Sequence, residues 1–443
     1  MVNFPRIGRL RIPRGLARGV RARVRAQRAW WRRRWRATAP GPVLFPESAA
    51  GMVAVGTLAG GARRGPRIAI LHATAGSGHR RAAQAIAAAI AELEPAATVR
   101  EVDTLVFASG FYRSTYARGY NVMAARAPRL WGLLYHSWEA APLRRGTPAA
   151  RLLDRLNLRR LARVVEHERP DAVVCTHFLP VEALEPLRAR GRMDVPLFGV
   201  VTDFAVHPFW AMPRVDGWFV AGDRAAEELA AHGVPRERIE VTGIPVDPGF
   251  AAPLEAAEAR ARMGLDAMRP VVLVMGGGHG VGPLAELAGR LAALPAAPQV
   301  VVVCGTNEAL RAEVAALPAA AAGHVRALGY THEVDALLAA SDALVSKAGG
   351  LTCSEALVRA VPMVIFRPTP GQEVRNAEIL EAAGAAVRAA SLGDVERAVA
   401  RILEDPAHAG RMRAAARALG RPDAARAVAR RVLAAIAAGA RRA

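Results

Sequence analysis

Residues 341 to 380 read SDALVSKAGGLTCSEALVRAVPMVIFRPTPGQEVRNAEIL, and their pattern decides the fold. Asp342 to Ser346 is a short apolar run, Gly349 and Gly350 let the chain turn with close backbone approach, and Leu351 to Ala360 has helical spacing. A second strand, Pro362 to Phe366, and a second polar turn follow. Strand, glycine turn and helix make half of a nucleotide site, because the free N–H groups and positive end of such a helix suit a diphosphate. Lys347, in the turn, is the only lysine among 60 basic residues. A lone lysine in an arginine-rich chain points to a place where a compact ammonium serves better than a planar fork; the bland alternative is a stray surface lysine.

From Arg67 onward the same alternation repeats in two blocks, the pattern of parallel sheets covered on both faces. Strands are expected at Arg67 to Ala73, Thr98 to Asp103, Asp171 to Thr176, Val195 to Thr202, Gly217 to Ala221 and Ile239 to Thr242. The second block has them at Pro270 to Met275, Gln299 to Cys304, His324 to Leu328, Asp342 to Ser346 and Pro362 to Phe366. The proline-bearing segment Gly243 to Pro248 suits a hinge between them. The fold class is α/β, with a basic N-terminal extension over 1–66, expected to be flexible, and domains over 67–246 and 247–443. The alanine- and arginine-rich end closes the second domain, its last helix free to cross back to the first.

Each block opens with a strand that runs into glycines: Gly76-Ser77-Gly78-His79 in the first and Gly276-Gly277-Gly278-His279-Gly280 in the second. Ligands bind at such carboxyl ends of strands. Neither cluster is a full dinucleotide fingerprint or P-loop. His79 falls at a helix start, where the dipole keeps an imidazole neutral and able to take a proton, so it is the candidate general base; the alternative is a capping or packing histidine. Asp203 and His207 follow another strand end and either orient His79, bind the acceptor, or simply form a turn. Glu355 can accept from both ribose hydroxyls or complement its helix start. Gln372 and Asn376 lie one turn apart, beside Glu373, and two amides there can grip sugar hydroxyls.

At 443 residues, 52% hydrophobic and 22% charged, the chain suits two globular domains. Its net charge of +21 is uneven: residues 1 to 40 hold 13 arginines and no acid. Cys175, Cys304 and Cys353 are scattered, which suggests neither a disulfide framework nor a metal site and fits a reducing cytoplasm. No apolar run is long enough to span a bilayer. The leader, with Trp30, Trp31 and Trp35 among its arginines, fits a tail on anionic lipid, a basic arm binding nucleic acid phosphates, or a mis-assigned start. Phe107 to Trp138 interleaves arginines with Tyr112, Tyr116, Trp131 and Trp138, the makeup of a helix at a lipid headgroup boundary, although an aromatic stripe also builds cores. Nucleic acid ranks below membrane as a partner.

With these residues in view, the chain resembles the monogalactosyldiacylglycerol synthase and processive diacylglycerol glucosyltransferase family, relatives of the bacterial transferase that makes lipid II. The likeness rests on Ser346-Lys347-Ala348-Gly349-Gly350-Leu351-Thr352, Ser354-Glu355-Ala356-Leu357, Pro370-Gly371-Gln372-Glu373, Gly76-Ser77-Gly78-His79-Arg80 and Val201-Thr202-Asp203-Phe204. The resemblance implies a GT-B fold, two Rossmann-like domains facing each other across a cleft. It implies a hexose moved from UDP-glucose or UDP-galactose to diacylglycerol or a related lipid, with inversion, no metal and no cofactor beyond the donor, on the inner face of the cell membrane.

By the same resemblance Gly276, Gly277, Gly278, Gly349, Gly350, Leu351, Thr352 and Lys347 hold the diphosphate and Tyr330 lies beside uracil. Glu355 binds ribose, Gln372, Glu373 and Asn376 serve the sugar, and His79 is the base. Gly76 and Gly78, which belong to the matching motif, and His207 and the aromatic region, read from their own positions and composition, are assigned to acceptor and membrane. Alternatives are a UDP-N-acetylglucosamine-using transferase for another lipid or a soluble acceptor, a nucleotide-sugar epimerase, or a non-catalytic membrane or nucleic-acid adaptor. Two positions depart from the pattern. Ser77 replaces a glycine, and Ala348 replaces a proline, a change expected to soften the turn.

Overall fold

Six short runs of branched residues, each flanked by a helix-forming stretch, and one two-residue edge strand assemble into the first sheet. In a computed structural model that describes residues 54–55, 65–74, 77–109, 112 and 156–440, its strands are β1 (Ala54–Val55), β2 (Arg67–His72), β3 (Thr98–Asp103), β4 (Ala172–Cys175), β5 (Leu197–Val200), β6 (Gly217–Val220) and β7 (Ile239–Val241). They lie in the order β1-β3-β2-β4-β5-β6-β7. All neighbours are parallel except the two-residue β1, which runs antiparallel on the β3 edge. The expectations for the basic leader, Gly76, Tyr116, Trp131 and Trp138 lie outside the described residues.

The second sheet holds β8 (Val271–Met275), β9 (Gln299–Val303), β10 (Val325–Leu328), β11 (Ala343–Ser346), β12 (Met363–Phe366) and β13 (Ala386–Ala389). Its order is β10-β9-β8-β11-β12-β13, parallel throughout. Successive residues of β8 serve opposite faces: Leu273 and Met275 pack in one core, Val272 and Val274 in the other. That is the signature of a strand covered on both sides.

Chain direction through each sheet reverses once, between β2 and β4 in the first and between β8 and β11 in the second. A crevice opens at such a switch point beyond the carboxyl ends of the strands. The described residues belong to one compact unit, 45–56 and 61–443, and two connections join its lobes. The segment after β7 buries Ile244, Val246 and Phe250 in a core of the second lobe. The last helix, Ala424–Ala440, returns to the first lobe, where Ala425, Val428, Ala429 and Val432 pack with Ile86 and Ile90. Each large apolar side chain buried there contributes about 1.5–3 kcal/mol. Among the described residues no helix is long and apolar enough to cross a membrane.

Candidate active site between the lobes

Helix Ser77–Leu93 begins at the first sheet's switch point and carries His79 in its opening turn. The His79 Nδ1 is 2.8 Å from the Thr176 carbonyl oxygen, just beyond β4, and 2.8 Å from Thr202 Oγ1. A carbonyl can only accept, so Nδ1 carries the hydrogen and the Thr202 oxygen shares it. Nε2 then holds the lone pair. The Thr176 hydroxyl donates to the carbonyl of His79 itself at 2.8 Å, closing the clamp. Burial depresses the His79 pKa to about 4, against the opposing effect of the bond it donates to the Thr176 carbonyl, so the ring is neutral at physiological pH. His177 lies edge-on to it at 4.5 Å and caps the next helix through the Leu179 N–H.

The sequence reading lets Asp203 orient His79; the structure gives that contact to Thr176 and Thr202. Beyond the end of β5, Thr202 meets His79 while the next residue, Asp203, faces the second lobe. There the Asn376 side-chain amide donates to Asp203 Oδ1 at 3.0 Å and to the Ala348 carbonyl at 3.1 Å, and its oxygen accepts from the Phe204 N–H at 2.9 Å. Asn376 is fully buried and its hydrogen-bonding groups are engaged. Instead of lying open to a sugar, it clasps the lobes. Burial raises the Asp203 pKa to about 6, against the bond from Asn376. His207, assigned to acceptor binding, accepts from the Phe209 N–H at 3.2 Å and caps the turn Pro208–Trp210.

Opposite His79 stand the glycine turns of the second lobe. Helix Gly350–Val358 starts at Gly349 with no side-chain cap, leaving the N–H groups of Gly350, Leu351 and Thr352 for another acceptor. The approach is close enough to require glycine: a methyl group on Gly350 would stand 2.1 Å from the Thr202 carbonyl oxygen. One on Gly278 would stand 3.0 Å from Ser77 Oγ, whereas one on Gly78 would make only ordinary contact with Leu351 Cβ at 3.8 Å. Gly276 is wedged against the Val281 backbone, and Gly277 adopts φ +75° beside Lys347. Lys347 Nζ is 3.8 Å from Glu373 Oε1, and the other Glu373 oxygen accepts from the Thr369 N–H at 2.6 Å.

Glu355 is 1% exposed; its Oε1 meets Arg81 Nη2 of the first lobe at 2.7 Å, and its Oε2 has no hydrogen-bond partner. Burial raises this carboxyl to about pH 7, against the lowering effect of Arg81. Gln372, half-buried, opens its helix after Gly371, whose φ is +102°. Tyr330 is 52% exposed and lies edge-on to His332. The Tyr112 N–H donates to Ser109 Oγ at 3.2 Å.

Thus both switch points, His79, Lys347, Glu355 and three glycine turns come to one surface. Sequence reasoning missed Thr176, His177, Thr202 and Arg81. Their signal was available in part: Thr176-His177 directly follows an apolar run, where a strand end delivers polar groups to the crevice.

Two facing doubly wound sheets with glycine turns at their switch points define a GT-B fold. The fold matches MurG of Acinetobacter baumannii with a TM-score of 0.54 at 16% identity, covering 83% of this chain and 99% of that one. A UDP-GlcNAc 2-epimerase of Neisseria meningitidis bound to UDP-GlcNAc matches with a TM-score of 0.54 at 14% identity, over 83% of this chain and 99% of the other. Residues 79–246 match the monogalactosyldiacylglycerol synthase model and residues 271–428 the glycosyltransferase family 28 C-terminal domain.

The processive diacylglycerol beta-glucosyltransferase of Bacillus mycoides is 34% identical over 266 residues, 60% of this chain and 68% of that protein. Its Bacillus pumilus counterpart is 32% identical over 247 residues, 56% of this chain and 64% of that protein. The chain belongs to this monogalactosyldiacylglycerol synthase and diacylglycerol glucosyltransferase family.

Proposed function

We propose that this protein transfers a hexose from UDP-glucose or UDP-galactose to the free hydroxyl of diacylglycerol or a related membrane lipid. The observation that carries the reading is His79, its Nδ1 fixed 2.8 Å from the Thr176 carbonyl, on the lobe surface that meets the Gly278 turn. The acceptor proton passes to His79 Nε2 as the acceptor oxygen attacks the anomeric carbon from the side opposite UDP. The bond to the UDP oxygen breaks and the configuration inverts. Developing charge on the leaving diphosphate is met by the Gly350, Leu351 and Thr352 N–H groups, the Gly276–Gly278 turn and Lys347, without a metal.

Glu355 accepts from ribose, Tyr330 stacks beside uracil, and Gln372 reads the hexose. Gly78, with Gly76, forms the acceptor's path, and the tyrosines and tryptophans around Tyr112, Tyr116, Trp131 and Trp138 rest on the anionic inner face of the cell membrane. The relatives' names support the lipid acceptor, and the arginine-rich, acid-free leader supports the membrane surface.

The test is a panel: full-length protein, vesicles containing diacylglycerol, and UDP-glucose, UDP-galactose or UDP-N-acetylglucosamine, with products identified by mass. Hexosyl-diacylglycerol is expected from one of the first two donors. In His79→Ala the turnover falls by about a hundredfold or more while UDP affinity is unchanged. A product formed only from UDP-N-acetylglucosamine, or full turnover in His79→Ala, overturns the reading.

A further inference from the structure

The helix Ser77–Leu93 carries His79, Arg80 and Arg81 in sequence, and the three side chains go to three places. His79 stays in the first lobe's crevice, and Arg80 lies 3.6 Å from Glu101 of β3. Arg81 alone leaves its lobe, placing Nη2 2.7 Å from Glu355 Oε1.

That contact is a poor match for a structural tie. Arginine and carboxylate pair best through two parallel hydrogen bonds, which would engage both oxygens. Here one Glu355 oxygen is buried with no partner, a costly arrangement for a carboxylate unless something else is meant to meet it. The surroundings do not favour charge either: Asp335 and Asp247 act against ionisation of Glu355, leaving Arg81 as the main cation that supports it. The carboxylate is built to receive more donors than Arg81 supplies.

The diphosphate side has the opposite deficit. Its one lysine, Lys347, is already offset by Glu373 at 3.8 Å. A nucleoside diphosphate leaving group gains charge as the glycosidic bond breaks, and helix-end N–H groups with one partly neutralised ammonium leave that charge incompletely matched. Among the described residues, the cation the first lobe extends to this surface is Arg81, seated on Glu355.

We propose that Arg81 is a donor-contacting residue: on entry of the nucleotide-sugar, ribose hydroxyls take the Glu355 carboxylate and the Arg81 guanidinium turns to the diphosphate. The inference rests on the assignment of Glu355 to ribose made above. It makes the exchange a property of the closed lobes. Arg81 is two residues from His79 on one helix, so the movement that brings the base to the acceptor also brings a second cation to the leaving group.

The test is calorimetric titration of the full-length protein with UDP and, separately, with uridine, in the parent, Arg81→Ala, Arg81→Lys and Glu355→Gln. The Arg81 side chain is 28% exposed, so its truncation opens no core cavity, and unchanged thermal midpoints check this. Arg81→Ala is expected to weaken UDP about tenfold or more, the loss of one charge-assisted contact, while uridine binds as well or better because the Glu355 carboxylate is uncovered. Arg81→Lys recovers most of the UDP affinity. An equal loss for UDP and uridine means that Arg81 acts only by holding Glu355 and overturns the proposal, as does no change for either ligand. Unaltered uridine binding in Glu355→Gln sinks the ribose assignment itself, an outcome read independently of the Arg81 variants.

Discussion

Ala348 is buried at φ +74°, a left-handed conformation that side-chain-bearing residues seldom take. Read from sequence, an alanine in place of proline before Gly349 only softens the turn. The structure reverses that expectation, since proline is locked near φ −65° and cannot adopt this backbone at all. Ala348→Pro is expected to lower stability by about 3 kcal/mol or more. Ala348→Gly sits near neutrality, because relief of about 1 kcal/mol in backbone strain offsets about 0.8 kcal/mol of lost methyl burial. Urea unfolding of the two variants checks both, and a proline variant as stable as the parent refutes the backbone assignment.

His79 gives a second residue-scale prediction. Burial moves its pKa down to about 4, so the neutral ring contributes stability fully above the unfolded value of 6.5 and loses it as pH falls through about 4. The acid limb of kcat/KM is therefore expected near pH 4. A limb near pH 6.5 would show a solvated ring.

At the scale of elements, the alternation of branched runs with alanine-rich stretches is a strong signal wherever a strand is buried on both faces. Val271–Met275 and Gln299–Val303 are unmistakable for that reason. The edge strand β13 was not legible: Ala386-Val387-Arg388-Ala389 has two alanines and an arginine, and its pairing partner, not its composition, makes it a strand. Strand ends and helix starts were readable because glycine and small polar residues mark them, and that places His79, Lys347 and Glu355 near one another.

What a one-dimensional pattern cannot carry is which neighbour a polar side chain chooses. Asn376 shows the limit. On its helix it lines up with Gln372, yet three hydrogen bonds claim it, two of them to the other lobe. Asn376→Ala leaves the Phe204 N–H and Ala348 carbonyl without their partner and is expected to cost about 2–4 kcal/mol in urea unfolding, with donor KM little changed. A raised KM at parental stability would restore the sugar-binding assignment.

The whole molecule is held by apolar ties that do not titrate and by several conditional ones. The last helix buries Val428 and Val432 in the first lobe, an apolar contact indifferent to pH. Arg375 adds an ion pair to Glu228 at 2.7 Å. Asp203 and Glu355, where the lobes meet, behave differently, since burial raises them to about 6 and about 7 from 3.8 and 4.5. An acid whose folded pKa is raised stabilises the closed form fully below its unfolded value, and that contribution is lost as pH rises through its folded value. Closure is thus expected to weaken from pH 5 to pH 8, while the apolar tie keeps the lobes connected. Asp203→Asn removes one of the two titrations and keeps an oxygen for Asn376. Between pH 5 and pH 8 the parent's thermal midpoint should fall relative to this variant, and small-angle scattering should show the parent expanding more. Parallel midpoint curves would mean that Asp203 is already ionised at pH 5, and that closure depends on the arginine pairs and the last helix instead.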